Sequence, residues 1–348
     1  MEWNKKILRF KFFLFPLALF YQATIFWRNL LYNYRFFISR TLPTKIISVG
    51  NITSGGTGKT PMVIYLAEKL KNRGKIVAIL SRGYGRKTAG TQLVTDGQQL
   101  VDDWRNFGDE PTLMAEKLKG IPIVVDENRY RGGLFLVDKF KPDVIILDDG
   151  FQHRSLERDI DIVLLNSHDE QGDYKLIPYG KLREPIKHLK RADILILTKT
   201  NITSPSSYLI KMSEKFSLLT IKSQIQPSNT LYNGNKFVPV NKNKRIIAVS
   251  ALGDPRGFHK TLEQMGLAVV NKITFLDHHD YVQKDIDKII DKAKTHNADI
   301  IVTTEKDLVK LKKYNFDKFD LFSLGIQFQI ESKSEKELFN YIEKRLSL

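Results

Sequence analysis

Lys45-Ile-Ile-Ser-Val-Gly-Asn-Ile-Thr-Ser-Gly-Gly-Thr-Gly-Lys-Thr-Pro61 runs from a β-branched apolar segment through a glycine-rich turn into a helical pattern. Strand, loop and helix in that order make a phosphate cradle. Gly55, Gly56 and Gly58 let the backbone aim N–H groups at phosphate oxygens, and the helix start adds the positive end of its dipole. Lys59 is placed to reach the β- and γ-phosphates of a nucleoside triphosphate, and Thr60 to bind Mg²⁺. Nucleotide contacts are therefore expected from Thr53, Ser54, Gly55, Gly56, Thr57, Gly58, Lys59 and Thr60. Thr53 stands where the general G-x-x-x-x-G-K-[ST] pattern has its first glycine.

Outward from the loop, short β-branched runs alternate with helical patterns. KIISVG (45–50), KIVAIL (75–80), IPIVVD (121–126), DVIILDD (143–149), DIVLLN (161–166) and DILILT (193–198) are mostly continuous apolar runs, as strands buried on both faces are. Val63, Leu66, Ala67 and Leu70 share one helical stripe, and so do Leu113, Met114 and Leu118. The expectation is a P-loop-like, doubly wound α/β domain with a mainly parallel sheet. Over 204–244 the pattern shortens, and Asn233-Gly234 signals a hairpin. A second βα series follows in RIIAVSAL (245–252), DIIVTT (299–304) and FDLFSL (319–324), with helices near 257–265, over 282–294 and from about Ser332. The expected organisation is an N-terminal segment over 1–40, a phosphate-loop core over 41–203, a β-rich joint over 204–244 and a smaller α/β domain over 245–348.

The chain has 348 residues, no cysteine, and 55 Lys and Arg against 39 Asp and Glu, a formal net charge of +16. The missing cysteines exclude disulfides, thiolate catalysis and Cys-ligated zinc. The charge favours a polyanionic partner: nucleic acid, an anionic membrane or a phosphorylated substrate. Seven cations against Glu2 fall within residues 1–40, beside the apolar run Phe12 to Trp27. As a helix that run spans about 24 Å, short of the roughly 30 Å hydrocarbon core. No small-residue cleavage site marks a signal peptide. An interfacial helix, a tilted span and a helix packed on the protein's own body all fit.

Asp148 and Asp149 end the strand DVIILDD at the sheet edge where α/β ligand sites form, so one is expected to hold Mg²⁺ and the other to orient the metal or Lys59. Transfer to an alcohol also needs a proton acceptor, for which Asp109 in Gly-Asp-Glu-Pro and His278 in Phe-Leu-Asp-His-His-Asp-Tyr stand out. Asp109 reads equally as an N-cap of a helix near Pro111, and His278 with His279 as a polar turn. Arg82, Tyr84 and Arg86, in a loop rich in Arg and Gly, suit a phosphate or sugar. Asn128 and Arg129 follow another strand end, and Gln152 and His153 follow the acids; they complete the candidates for substrate contact.

VGNITSGGTGKTP, SRGYGR, GDEP, ENR, LDDGFQHR, PYGKLREP, SALGDPRGF, FLDHHDY and TTEKDLVKL occur in the order seen in the tetraacyldisaccharide 4′-kinases of lipid A synthesis, which this chain resembles from about Lys45 to Lys312. The resemblance implies a membrane-surface enzyme at the cytoplasmic face of a Gram-negative-type inner membrane. It would use Mg-ATP to phosphorylate the 4′-hydroxyl of a tetraacylated glucosamine disaccharide 1-phosphate, with no nucleic-acid partner. It also implies a catalytic dyad of Asp109 and His278, and Asp148 and Asp149 as Walker B acids. Two residues in separate expected domains imply a closure that joins them. The rival reading is a membrane-recruited switch ATPase of the partitioning type, a group that usually carries Lys where this chain has Ser54.

Overall fold

From the N-terminus, α1 (Glu2–Asn33) leads to β1 (Lys45–Asn51), α2 (Lys59–Asn72) and β2 (Val77–Ser81). β3 (Gln92–Thr95), α3 (Trp104–Phe107), α4 (Asp109–Lys117) and β4 (Ile123–Val125) follow. Next come α5 (Arg129–Phe140), β5 (Val144–Asp148), β6 (Ile160–Asn166), β7 (Ile194–Thr198) and α6 (Ser207–Lys215). β8 (Leu219–Tyr232), β9 (Phe237–Pro239), β10 (Arg245–Ser250), α7 (Arg256–Gln264) and β11 (Ala268–Thr274) continue the chain. It ends with α8 (Gln283–Thr295), β12 (Ile300–Thr304), α9 (Glu305–Leu311), β13 (Asp320–Ile330) and α10 (Ser332–Leu346). This computed structural model describes residues 2–99, 103–253 and 255–347, with side chains from residue 16 onward. Lys5, Lys6, Arg9 and Lys11 of the basic N-terminus, Phe12 to Phe15 of the apolar run and Asp254 therefore have side chains outside the described residues.

Two compact units make up the chain. The first comprises Met1–Leu80, Asn128–Gln224 and Gln329–Leu348; the second comprises Ser81–Glu127 and Ile225–Phe328. This partition differs from a division at 203 and 245, because residues 81–127 group with the second unit. Their helix α4 lies against α9, with Lys117 2.7 Å from Glu305 and Lys312 2.9 Å from Glu116.

In the first unit the strand order is β8, β7, β6, β1, β5, β2, all parallel. Helices cover both faces of such a sheet, which is why β1, β5, β6 and β7 read as mostly apolar runs. Burying one Ile or Leu of this kind contributes roughly 1.5–3 kcal/mol. The expected stripe of α2, Val63, Leu66, Ala67 and Leu70, is buried. The last helix, α10, returns to this unit: Glu335 accepts from Tyr65 Oη at 2.6 Å and Lys69 Nζ at 2.7 Å, and the Arg73 guanidinium lies 3.7 Å from the Phe339 ring centroid. Ala18, Ile25 and Asn29 of α1, spaced seven and four apart, are buried, whereas Leu17, Phe20 and Trp27 are exposed. No described helix is long and apolar enough to cross a membrane.

The second unit is built on the parallel order β11, β10, β12, β13. Along β10, Ile247 and Val249 face one core with Ile286 and Ile289 of α8, while Ile246 and Ala248 face another with Leu262 of α7, the period of two that strands impose. β8 and β9 pair antiparallel around Asn233-Gly234, as the hairpin signal predicts. Two strands escape the sequence reading. β3 pairs antiparallel with β4, and β11 is an edge strand whose Asn271 and Lys272 interrupt the apolar run.

Candidate active site

Lys59 opens α2 directly after Gly58, whose φ of 86° only glycine adopts without strain. The helix has no side-chain cap and no acid in its first turn, so its leading N–H groups and dipole are left for phosphate oxygens. A Cβ at Gly55 or Gly56 would meet nothing within 4 Å, which shows an open cradle. Thr53 in the first-glycine position has a structural cause. It forms an antiparallel bridge with Leu182, and Ser54 N donates to Lys181 O at 2.7 Å, so the loop begins as extended chain that needs no glycine. Asn51 Nδ2 then braces Thr57 Oγ1 at 3.0 Å across the loop.

Asp148 closes β5 and is buried, while Asp149 turns away at φ 50°. Asp149 accepts from Arg183 Nη1 at 2.9 and 3.1 Å and lies 3.5 Å from Lys59 Nζ. Burial opposes ionisation of Asp149, but the Lys59 and Arg183 cations outweigh it and hold the carboxyl below its usual range. Asp149 thus stands between the Lys59 and Arg183 cations, and Asp148 and Thr60 are the oxygen donors at the strand end and helix start that a metal would use. No cluster of three His, Cys, Asp or Glu exists among the described residues. A sparse all-oxygen donor set fits Mg²⁺, which takes one or two carboxylates and fills its shell with phosphate oxygens and water.

In the second unit, His278 Nδ1 and Asp109 Oδ2 are 3.1 Å apart. No closure is needed to join them, since both residues belong to this unit. Asp109 is the first residue of α4 rather than its N-cap, which is Gly108. There it lies in the helix's electropositive first turn and accepts from Glu110 N at 3.0 Å. Lys310, 1 % exposed, reaches the same carboxylate at 2.8 Å, and Lys306 lies 3.8 Å from it. Burial alone would raise the Asp109 pKa; the His278 hydrogen bond and the two lysines reverse this and hold it well below the carboxylate range. His278 sits at φ 59° with its ring 4.9 Å from Tyr84, and its Nε2 is 3.2 Å from Lys306 Nζ. Lysine only donates, so Nε2 is an acceptor and Nδ1 carries the proton given to Asp109. His279 is structural: it bonds Asp285 at 2.8 Å and stacks on Phe275.

The depressed Asp109 pKa stabilises the fold above the unfolded value of about 4, and that contribution is lost as pH falls toward the folded value. Urea midpoints at pH 6 and pH 3 should therefore differ more for the native chain than for Asp109→Asn. Equal differences would refute the coupling.

Other candidates divide by their partners. Arg82 and Tyr84 are exposed, Tyr84 beside His278. Arg86 is engaged within its own unit by Val125 O at 3.2 Å, Gly90 O at 2.8 Å and Glu127, so it shapes the loop. Asn128 caps α5, accepting from Arg131 N, and Arg129 is buried. Gln152 ties Asn51 O at 2.7 Å to Glu184 at 2.8 Å, and His153 bonds Ser155. Arg183, Lys306 and Lys310 join the candidate site, although the sequence reading singles out none of them. Arg183 lies within the PYGKLREP segment and the lysines within TTEKDLVKL, four apart on one face of a seven-residue helix, so the motifs were in view while their charged contacts were not.

The family model for tetraacyldisaccharide-1-P 4′-kinase (LpxK) matches residues 10–347. The chain belongs to that kinase family. It is 38 % identical to the tetraacyldisaccharide 4′-kinase of Aquifex aeolicus, over 94 % of this chain and 97 % of that protein. With the Syntrophus aciditrophicus tetraacyldisaccharide 4′-kinase it shares 40 % identity over 92 % and 88 %. A crystal structure of the Aquifex kinase's "apo" form in complex with ATP superposes with a TM-score of 0.77 at 37 % identity, covering 96 % of this chain and 98 % of that one. As a member of this kinase family, the chain is an enzyme that uses ATP.

Proposed function

We propose that the chain transfers the γ-phosphoryl group of ATP to the 4′-hydroxyl of a tetraacylated glucosamine disaccharide 1-phosphate, giving lipid IVA in lipid A biosynthesis. The observation that carries the mechanism is the 3.1 Å Asp109–His278 bond with Nε2 left as an acceptor. The first unit's loop N–H groups and Lys59 hold the triphosphate, and Lys59 offsets charge on the γ-phosphoryl oxygens as the acceptor oxygen attacks in line and the β,γ-bridging P–O bond breaks. Thr60 and Asp148 would hold Mg²⁺, which would supply further charge neutralisation when bound. In the second unit His278 Nε2 takes the hydroxyl proton, the substrate hydroxyl replacing Lys306 as its donor. Asp109, too weak a base at its depressed pKa, fixes the tautomer and offsets the imidazolium.

We further propose a place at the cytoplasmic face of an inner membrane; the exposed apolar side chains of α1, Leu17, Phe20 and Trp27, support attachment to a membrane surface by a helix lying in the interface. The deciding assay supplies labelled ATP with the lipid disaccharide in detergent. Label appearing in the acceptor is the expected result; ATP hydrolysis indifferent to the acceptor would overturn the proposal.

A further inference from the structure

Four arginines gather in the first unit at a place the phosphoryl-transfer chemistry does not use. A pocket of about 260 Å³ is lined by Ser39, Arg154, Glu157, Arg158 and Arg191, and Arg28 of α1 lies close enough to act on Arg154 and Arg191. Two of the four are neutralised: Arg158 forks onto Asp161 at 3.2 and 2.9 Å, and Arg191 Nη2 bonds Glu184 at 2.7 Å. Among the described residues Arg154 has only neutral acceptors, Asn29 O and Oδ1 at 3.2 and 3.1 Å and Asn33 Oδ1 at 3.0 Å. Nε and Nη2 of Arg28 and Nη1 of Arg191 are buried and donate to nothing among the described residues. Burial and then the neighbouring Arg191, Arg158 and Arg28 push the Arg154 pKa down to about 10.

Buried guanidinium donors without acceptors are costly, and cations crowded without matching acids are more so. An anion with several acceptor oxygens removes both costs at once. A phosphate monoester carries nearly two negative charges and three such oxygens, matching the two arginines that lack a carboxylate. The volume lies below the roughly 300 Å³ at which drug-sized pockets begin, so it suits a head group rather than a nucleotide. Through Arg154, Asn29 and Asn33 tie the pocket to α1, the helix that exposes Phe26 and Trp27 beside Arg28. A phosphate there would sit where a lipid's polar head meets its apolar part.

We propose that Arg28, Arg154 and Arg191 form a binding site for a phosphate monoester carried by a lipid. Where that lipid is the acceptor, the site rests on the kinase reading above and grips the substrate's own 1-phosphate. The chemistry has a second source in the bilayer, a phosphatidic-acid-type head group, and the experiment separates the two.

Arg28→Gln is the informative variant, because the buried Nε and Nη2 donors it alters bond nothing among the described residues and their loss should leave the melting temperature unchanged or raised. In one arm, KM is measured for the disaccharide 1-phosphate and for the same disaccharide with that phosphate removed. In the other, sedimentation is measured with phosphatidylcholine vesicles with and without phosphatidic acid, which needs no turnover and so stands apart from the kinase reading. A KM raised about tenfold by Arg28→Gln for the phosphorylated acceptor only, equivalent to ~1.4 kcal/mol, assigns the site to the substrate. An equal KM ratio with loss of the phosphatidic-acid-dependent sedimentation assigns it to the bilayer lipid. No change in either arm, or losses shared by the phosphate-free acceptor and phosphate-free vesicles, overturns the proposal. Arg154→Lys, which keeps the charge and loses the fork, should fall between the two enzymes.

Discussion

Asp109→Asn is expected to lower kcat by roughly a thousandfold while leaving KM for ATP within a few-fold of the native value. The loss follows from the geometry at His278. The carboxylate accepts the Nδ1 proton at 3.1 Å and presents Nε2 to the substrate; an amide can instead donate to Nδ1 and select the unproductive tautomer. KM for ATP is spared because the triphosphate groups, Gly55 to Thr60, belong to the other unit. The substitution also strands Lys310, which is 1 % exposed and 2.8 Å from the lost charge, and breaking such a buried pair costs about 3–5 kcal/mol. A double variant with Lys310→Met removes both charges and should recover stability without recovering kcat. Steady-state kinetics paired with urea unfolding separates the two effects. A kcat at the native level in Asp109→Asn would remove this residue from the mechanism.

Lys59→Met should lower kcat by roughly a hundredfold to a thousandfold and weaken ATP binding, with KM for the lipid acceptor little altered. Lys59 is positioned at the start of α2, with its ammonium 3.5 Å from the Asp149 carboxylate. Methionine keeps the stem and deletes the charge. Asp149 then keeps Arg183 at 2.9 Å, so its carboxylate stays compensated and the fold should hold. The checks are single-turnover phosphoryl transfer and nucleotide titration. A variant that transfers phosphate at the native rate would show that the nucleotide's γ-phosphate is held elsewhere.

Much of this was written in local patterns. The β1–loop–α2 run, the apolar strands buried on both faces and the Asn233-Gly234 hairpin are short-range signals, set by side-chain period and turn chemistry within a few residues. Lys59, Asp148 and Asp149 were legible for the same reason: each has a fixed place at a strand end or helix start. The edge strand β11 was not, because one side of it needs no apolar residue.

The sequence by itself determined the fold class and the nucleotide loop, and its resemblance to a kinase family singled out Asp109 and His278 as candidates for handling the proton. Only the tertiary structure decided that Asp109 and His278, 169 positions apart, share one unit and are already bonded, and that residues 81–127 pack with 225–328. It alone revealed Lys306 and Lys310 around that pair, Arg183 on Asp149, and the arginines gathered beside α1. The physical reason is that charge pairing and burial act through space. A pattern of period 2 or 3.6 states which face of an element is buried, and leaves open which distant cation or carboxylate will meet it there.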